Sequence, residues 1–243
     1  YKLLRTGVTF PKRAPLPVDP YFLGVWLGDG SKSRLSVATA DPEIEQCVRK
    51  VAQDNGLFVS VSRHTDSVCR DYYLHEGDVG GRKPHSRGNN PFKKAFRSLG
   101  VYNNKHIPHE YMVSSEADRL ELLAGFVDTD GCYSAVSWRA SEKYKKTGYK
   151  GYFEILQKKR ILADQVVWLA RSLGLGAVCK QCEKTIKSRN FKGKYYRVSI
   201  YGDISRVPTR IARKIACKGK PKKNPLHTGI KSIRAVGKKP YYG

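Results

Sequence analysis

A short pattern occurs twice in this chain, and its spacing limits the folds open to it. Phe22-Leu-Gly-Val-Trp-Leu-Gly-Asp-Gly30 and Leu123-Ala-Gly-Phe-Val-Asp-Thr-Asp-Gly131 align without gaps. Gly24 pairs with Gly125, Asp29 with Asp130 and Gly30 with Gly131, each pair 101 residues apart. Self-similarity of this kind marks a duplicated unit, and 243 residues hold two units of about 100–120 residues, each with a core. The apolar residues between Gly and Asp predict a buried helix. Gly24 and Gly28 in one segment, Gly125 and Thr129 in the other, lie four apart and share a helical face. Small residues there let two helix backbones approach closely. Two such helices packed about a two-fold axis bring Asp29 and Asp130 together at their C-terminal ends. The Gly after each Asp predicts a left-handed residue that stops the helix.

The chain downstream of each pattern repeats as well. After Gly30 comes an extended stretch through Leu35 and Val37, then Asp41-Pro42-Glu43 opens a helix with Asp41 as N-cap. That helix runs through Ile44, Val48 and Val51 to a stop at Asn55-Gly56, and a strand comes next over 57–63. In the second unit, strands are predicted at 133–138 and 152–157, then a helix at 161–173 ended by Gly174. Strands at 177–185 and 195–201 come after it, with a last helix over 204–214. Residues 77–90 read as a loop and 187–194 as a basic hairpin tip, while strand ends between 66 and 74 are unmarked. Each unit thus reads helix, two strands, helix, two strands, helix, an α+β fold with one sheet per unit. The units are placed at 18–114 and 115–217, flanked by segments 1–17 and 218–243.

Charge narrows the partner. Lys and Arg number 46 against 21 Asp and Glu, a net charge of +25. An excess this large repels itself in the folded state and implies a polyanion, with nucleic acid first because each neutralised phosphate releases counterions. No apolar run reaches the roughly 18–20 residues of a membrane span, and no basic amphipathic helix stands out, so a membrane partner is not expected. Of the cysteines (Cys47, Cys69, Cys132, Cys179, Cys182, Cys217), only Cys179 and Cys182 have ligand spacing, and no second pair completes a zinc site. A reducing intracellular compartment fits such cysteine use, the nucleus or nucleoid where DNA is held. The start, Tyr1-Lys-Leu-Leu-Arg5, carries no signal-peptide core and no initiator Met, as expected of a piece of a longer chain.

Two carboxylates that face each other repel unless a cation lies between them, so a hard divalent ion with oxygen ligands is expected at Asp29 and Asp130. Such ions activate water and stabilise the leaving oxygen of a phosphodiester. Taken singly, each segment reads first as core packing with a helix stop. Asp128 and Asp130 mimic part of a calcium loop, but Cys132 stands where a later ligand is needed. Repetition inside so basic a chain favours the catalytic reading.

Both segments resemble the signature of the LAGLIDADG homing endonucleases, the second almost in full. More narrowly, the chain is similar to the endonuclease domain of fungal inteins of the vacuolar ATPase or Prp-eight host type. The supporting stretches are Asp19-Pro-Tyr-Phe-Leu-Gly-Val-Trp-Leu-Gly-Asp-Gly30, Lys105-His-Ile-Pro108 and Arg171-Ser-Leu-Gly-Leu175, and the similarity covers about residues 18–214. The resemblance implies a monomer of two pseudo-symmetric αββαββα subdomains whose sheets form a saddle in the major groove of double-stranded DNA. It implies a site-specific homing endonuclease that makes a double-strand break in a long, asymmetric target by metal-dependent hydrolysis. Asp29 and Asp130 would bind the metals, with Gly28 and Thr129 beside them. Magnesium would serve as two or three ions with DNA bound, manganese would substitute, and calcium would be non-productive. Lys105 would polarise the attacking water or stabilise phosphoryl charge, and Lys214 is its counterpart in the second unit, loosely assigned because more lysines come after it. Leu27 stands where many members have Asp, which leaves Asp29 intact.

Strands with alternating outward residues suit groove reading. Arg63, Lys158, Lys180, Lys194 and Arg197 are the expected strand-borne DNA contacts, with Ser60, Ser62 and Ser199 as permissive neighbours. Arg82 in the long loop and Arg189 at the hairpin tip would reach further, and Tyr144, Tyr149, Tyr152, Tyr195 and Tyr196 interleave with the basic residues. The end segments resemble remnants of an intein splicing domain in which the enzyme is embedded. The splice-junction residues are absent, which disfavours splicing by this chain. The remaining alternative is an inactive LAGLIDADG nucleic-acid binder or RNA maturase, disfavoured by the presence of both acids and Lys105.

Overall fold

The computed structural model describes residues 2–11, 15–63, 67–77, 90–135, 151–186, 191–217, 227–230, 232–235 and 237–238. Strand β1 (Lys2–Leu4) precedes the first unit, which runs α1 (Pro20–Asp29), β2 (Ser36–Thr39), α2 (Pro42–Asp54), β3 (Phe58–Arg63), β4 (Arg70–His75) and α3 (Pro91–Ser98). A one-turn helix, α4 (His109–Met112), leads to the second unit. That unit runs α5 (Glu116–Asp130), β5 (Gly131–Ala135), β6 (Gly151–Gln157), α6 (Arg160–Ser172), β7 (Gly176–Ile186) and β8 (Phe191–Tyr201). Strand β9 (His227–Gly229) is the last described strand, antiparallel to β1. The sheets are β2-β4-β3 and β5-β6-β8-β7, antiparallel throughout, so the α+β expectation of one sheet per unit holds.

Local sequence explains the main boundaries. The Asp19 carboxylate accepts the Phe22 N–H and Pro20 opens α1; Ser115 likewise accepts the Asp118 N–H and opens α5. Asn55 and Gly56 end α2, with Gly56 at φ +63°. Four expectations are corrected. Asp41 stands at the N-cap of α2 yet caps no N–H, because its carboxylate turns to Arg213 at 2.5 and 2.8 Å. The extended stretch expected after Gly30 is a strand only over Ser36–Thr39, with Gly30 bridged to Val37, since residues 32–35 bend. The last helix, expected over 204–214, is two 3-10 turns, Ile204–Arg206 and Ala212–Lys214, because Pro208 lies between them and cannot continue a helix. Lys194, expected in a hairpin tip over 187–194, sits inside β8 opposite Glu183, where longer strand pairing overrode its loop-like composition; residues 187–190 lie outside the described residues. The described part of the strand expected at 133–138 is β5; residues 136–138, and most of the expected loop at 77–90, lie outside the described residues.

One continuous core holds both units, with α1 and α5 at its centre. Tyr21, Phe22, Leu23, Val25, Trp26 and Leu27 are buried on α1, and Leu122, Leu123, Phe126 and Val127 on α5. Each such side chain contributes about 1.5–3 kcal/mol relative to an exposed one. Trp26 meets Phe96 edge-on at 4.6 Å between centroids, which ties α1 to α3. Between α1 and α5 no side chain fits at the closest approach. A Cβ on Gly24 would stand 2.2 Å from the Leu122 carbonyl oxygen, and one on Gly125 would stand 2.1 Å from that of Tyr21. The small residues on these faces therefore serve the backbone contact read from the repeat.

A buried cation anchors the N-terminal segment to this body. Arg119 is fully buried on α5, on the same helical stripe as Leu122, Leu123 and Phe126. Its guanidinium donates to the carbonyls of Ser114 (3.1 Å), Ser172 (3.0 Å) and Val8 (2.6 Å), and to the Ser172 hydroxyl. It also lies over the Phe10 ring at 4.8 Å. Every donor nitrogen thus meets an acceptor, as a buried charge requires. Among the described residues, no helix is long and apolar enough to cross a membrane.

Candidate active site

The close helix packing delivers both acidic C-termini to one place. Gly28 and Thr129 touch: a Cβ on Gly28 would stand 2.0 Å from the Thr129 hydroxyl oxygen and 3.4 Å from the Asp130 nitrogen. Asp29 and Asp130 come next, at the helix ends. Partial burial and, after it, the Asp130 charge together raise the pKa of the Asp29 carboxyl to about 6, against the pull of Lys214 and Lys105. Burial likewise raises Asp130, opposed by Gln157, Lys105 and Lys214. The glycine after each acid is not left-handed: Gly30 lies at φ −73° and Gly131 at φ −92°, both extended. It is required for space instead. A Cβ would fall 2.4 Å from the Trp26 carbonyl oxygen at Gly30, and 2.7 Å from that of Val127 at Gly131.

Two lysines occupy equivalent places on the two helices. The Lys105 Nζ donates to the carbonyls of Leu27 (3.1 Å) and Gly28 (2.9 Å), the last turn of α1. The Lys214 Nζ donates to those of Val127 (3.0 Å), Asp128 (2.7 Å) and Thr129 (3.0 Å), the last turn of α5. By the 101-residue offset, Leu27 matches Asp128 and Gly28 matches Thr129, so Lys214 is the geometric counterpart of Lys105. A cation on the unpaired carbonyls of a helix C-terminus answers both their hydrogen-bonding need and the helix dipole. Burial lowers Lys105 to about 8, against the attraction of Asp130 and Asp29. It lowers Lys214 too, opposed mainly by Asp128. Lys105 also sits 5.2 Å from the centroid of the Trp26 ring.

Three contributors have roles that the sequence pattern does not give, and only Asp128 among them lies in the repeated motif. Gln157, the last residue of β6, donates from Nε2 to the Asp130 carboxylate. Strand register puts it there, because Gly131 pairs with Ile155. In the first unit Gly30 pairs with Val37, so the matching residue is Thr39, whose hydroxyl is taken by the Asp41 N–H. Among the described residues none donates to the Asp29 carboxylate. Asp128, the inner acid of the second motif, is buried and binds the Tyr21 hydroxyl and the Arg210 N–H, both at 2.7 Å. It ties the segment that carries Lys214 to α5, a part that Leu27 cannot play in α1. Gln165 on α6 holds the backbone of Ile107, two residues after Lys105.

The donor set suits a magnesium-like ion. Such ions keep several waters and take one or two carboxylates together with substrate phosphates. Asp29 and Asp130 supply two carboxylates, and no group of three or more His, Cys, Asp or Glu that could hold a metal is present among the described residues. The carbonyls of Gly28 and Thr129 are already engaged by the two ammonium groups, which makes them weaker metal ligands than their place beside the acids suggests. Cys179 and Cys182 are free, and three residues apart on β7 they point to opposite faces, so they do not converge on one ion.

The sheets sort the basic residues by face. In the second sheet Phe153, Ile155, Val198, Ile200 and Ala177 turn to the core. Lys180 and Arg197 pair across strands on the other face, where Tyr152, Tyr195 and Ser199 also lie, with Arg197 3.2 Å from Glu154. Lys158 is exposed just beyond β6. Lys194 pairs with Glu183 on the core-side parity of the sheet, as does Tyr196 with Gln157, so neither shares the face of Arg197. In the first sheet Ser60 and Ser62 face outward. Arg63, paired with Arg70, has the parity of the helix-covered side, with Val61 and Tyr72. Arg82, Arg189, Tyr144 and Tyr149 lie outside the described residues.

The second unit has a family match that fits this site. Residues 106–210 match the family model described as homing endonuclease. A curated relative, the replicative DNA helicase DnaB of Mycobacterium intracellulare, is 30% identical over 173 residues, 71% of this chain and 22% of the relative. This chain thus spans about a fifth of that protein. The relative is bacterial and a helicase, so the fungal vacuolar ATPase or Prp-eight host type gains no support. Among solved structures, the endonuclease I-DmoI in complex with DNA and calcium aligns with a TM-score of 0.45 at 11% identity, over 76% of this chain and 83% of that one. The meganuclease I-SmaMI bound to DNA aligns at 0.33 and 14%, over 79% and 78%. The half of the chain that carries the fuller motif, Asp130 and Gln157 is thus the part that the homing endonuclease family model matches.

Proposed function

We propose that the chain is a magnesium-dependent, site-specific endonuclease that cuts both strands of double-stranded DNA. The observation that carries this reading is the paired helix end: two acids brought together, each helix terminus also bearing a lysine, related by one 101-residue offset. Asp29 and Asp130 hold the divalent ions. When bound, these ions supply Lewis acidity at the scissile phosphate and a water of lowered pKa. Gln157 fixes the orientation of the Asp130 carboxylate. The Lys105 and Lys214 ammonium groups hold positive charge where negative charge builds on the phosphoryl oxygens. Burial lowers both pKa values, which also lets a lysine pass a proton near neutral pH more readily than a free one. The outer sheet face with Lys180 and Arg197 supports phosphate and base-edge contacts. As a monomer the chain already contains both sites.

Two wider readings belong to this proposal. The pairing of β1 with β9 sets the two flanking segments side by side, which suits an enzyme inserted into a host domain such as that of an intein. The work of such an enzyme lies where DNA is kept, in a nucleus or nucleoid. The test is cleavage of a randomised plasmid library by the purified protein with magnesium. Recovered cut sites of defined sequence are expected, with cutting abolished by Asp29→Asn or Asp130→Asn while calcium-supported binding persists. Tight binding without any cut by the unaltered chain would favour the maturase or inactive-binder reading.

A further inference from the structure

The structure assigns a crossed support to the two lysines: each is positioned by the second helix of the unit that does not carry it. This rests on the endonuclease reading above and deepens it. Lys105 belongs to the first unit, and the chain beyond it is held by Gln165 on α6 of the second. The Gln165 Oε1 accepts the Ile107 N–H at 2.8 Å and its Nε2 donates to the Ile107 carbonyl at 3.0 Å. Ile107 is buried and precedes Pro108, so this amide pair fixes a short, stiff arm two residues from the lysine. On the other side of Lys105, Asn103 takes a left-handed φ of 55° and donates to the Lys32 carbonyl at 2.8 Å. The arm is thus fastened to one unit before the lysine and to the other after it.

Lys214 belongs to the second unit, and its neighbour Arg213 is held by Asp41 at the start of α2 in the first. Both guanidinium nitrogens meet the carboxylate, at 2.5 and 2.8 Å, the fork geometry that adds direction to charge. This contact explains why Asp41 caps no N–H of its own helix. Asp128 and the Thr209 hydroxyl, which donates to the Lys214 carbonyl at 3.1 Å, complete the support from within the second unit. Different side chains, an amide in one case and an ion pair in the other, do the same task across the pseudo-two-fold axis. The arrangement ties the competence of each half-site to docking of the two units. Gln165, Asp41 and Arg213 are positioning residues, since they touch neither the acids nor the lysine ammonium groups.

Strand-resolved nicking of a supercoiled plasmid tests the proposal, using a site recovered from the library above. The strand that each lysine serves is first read from Lys105→Met and Lys214→Met. Gln165→Leu is then expected to slow the Lys105 strand about 10-fold or more, the range in which outer-shell partners act, with the other strand changed less than about 2-fold. Arg213→Ala is expected to do the reverse. Affinity in calcium should be unchanged in both, and Gln165→Leu should add nothing to Lys105→Met. Equal slowing of both strands, or of neither, overturns the crossed support. Should Gln165→Leu fail to fold, Gln165→Glu, which keeps the acceptor and loses the donor, carries the same test with Asp41→Asn. An unaltered protein that binds and never nicks would instead overturn the endonuclease reading.

Discussion

Gly125→Ala sets two effects of opposite sign against each other. In an exposed helix, replacing Gly by Ala stabilises by about 1 kcal/mol through propensity alone. At Gly125 the new methyl would stand 2.1 Å from the Tyr21 carbonyl oxygen and 2.8 Å from the Val25 nitrogen. Both are backbone atoms of the facing helix, so no rotamer change relieves the overlap. Restoring van der Waals distance requires α1 and α5 to part by about 1 Å. Overpacking of a filled core costs about 1–3 kcal/mol, so the steric effect should win. With about 2–4 °C per kcal/mol for a chain of this size, the melting temperature should fall by several degrees. Cutting should fall further than stability, because Asp29 and Asp130 ride on the helices that separate, and a displacement of about 1 Å at a reacting centre can cost about 100-fold. Calorimetry and plasmid cleavage at a temperature where the variant stays folded would measure the two effects. A higher melting temperature with full activity would refute the backbone-contact account.

Three other outcomes are expected from the site and its supports. Asp29→Asn should raise the melting temperature in metal-free buffer at pH 7. A carboxyl raised to about 6 costs the fold stability progressively as pH climbs from about 4 through 6, and the cost is complete above that; a melting temperature of the unaltered chain that stays constant across that pH range would contradict it. Arg119→Met should destabilise by about 3 kcal/mol or more, since it leaves the Ser114 and Val8 carbonyls without their donor and takes one of two donors from the Ser172 carbonyl; proteolysis of the N-terminal segment at native temperature would report its release. Binding should weaken steeply with salt, and Lys180→Ala should lower the slope of log K against log salt by about 1 if its ammonium meets a phosphate; a flat salt profile would mean that the +25 charge serves another purpose.

The repeat makes the helix pair legible because a close backbone approach must be written in small residues at fixed spacing. The acids are legible from that, whereas both lysines come from the family resemblance alone, which left Lys214 loosely assigned on an expected helix that Pro208 prevents. Gln157 is hidden because its place depends on register between β5 and β6, and the chain between those strands, 136–150, gives no sequence measure of register. Gln165 is hidden for a different reason. It contacts another unit, and contacts between units leave no periodicity in a single chain. Arg119 is open to discovery, since a charged residue on the stripe of Leu122, Leu123 and Phe126 is a local anomaly. Composition alone puts Lys194 and Arg63 outward, whereas strand parity decides which face a side chain takes.

The supports of the two lysine arms differ in their response to solution conditions. The arm of Lys105 is fastened by Gln165, a neutral amide, and neither acid nor salt acts on that bond directly. The arm of Lys214 is fastened by carboxylates, with Asp41 on a largely exposed Arg213 and Glu121 on Arg210 at 3.0 Å. Salt screens such pairs, and acid removes the charge that forms them. Conditions that leave one half-site firm would therefore slacken the other, and the ratio of single-strand nicks to double-strand breaks becomes a property of the buffer as well as of the enzyme.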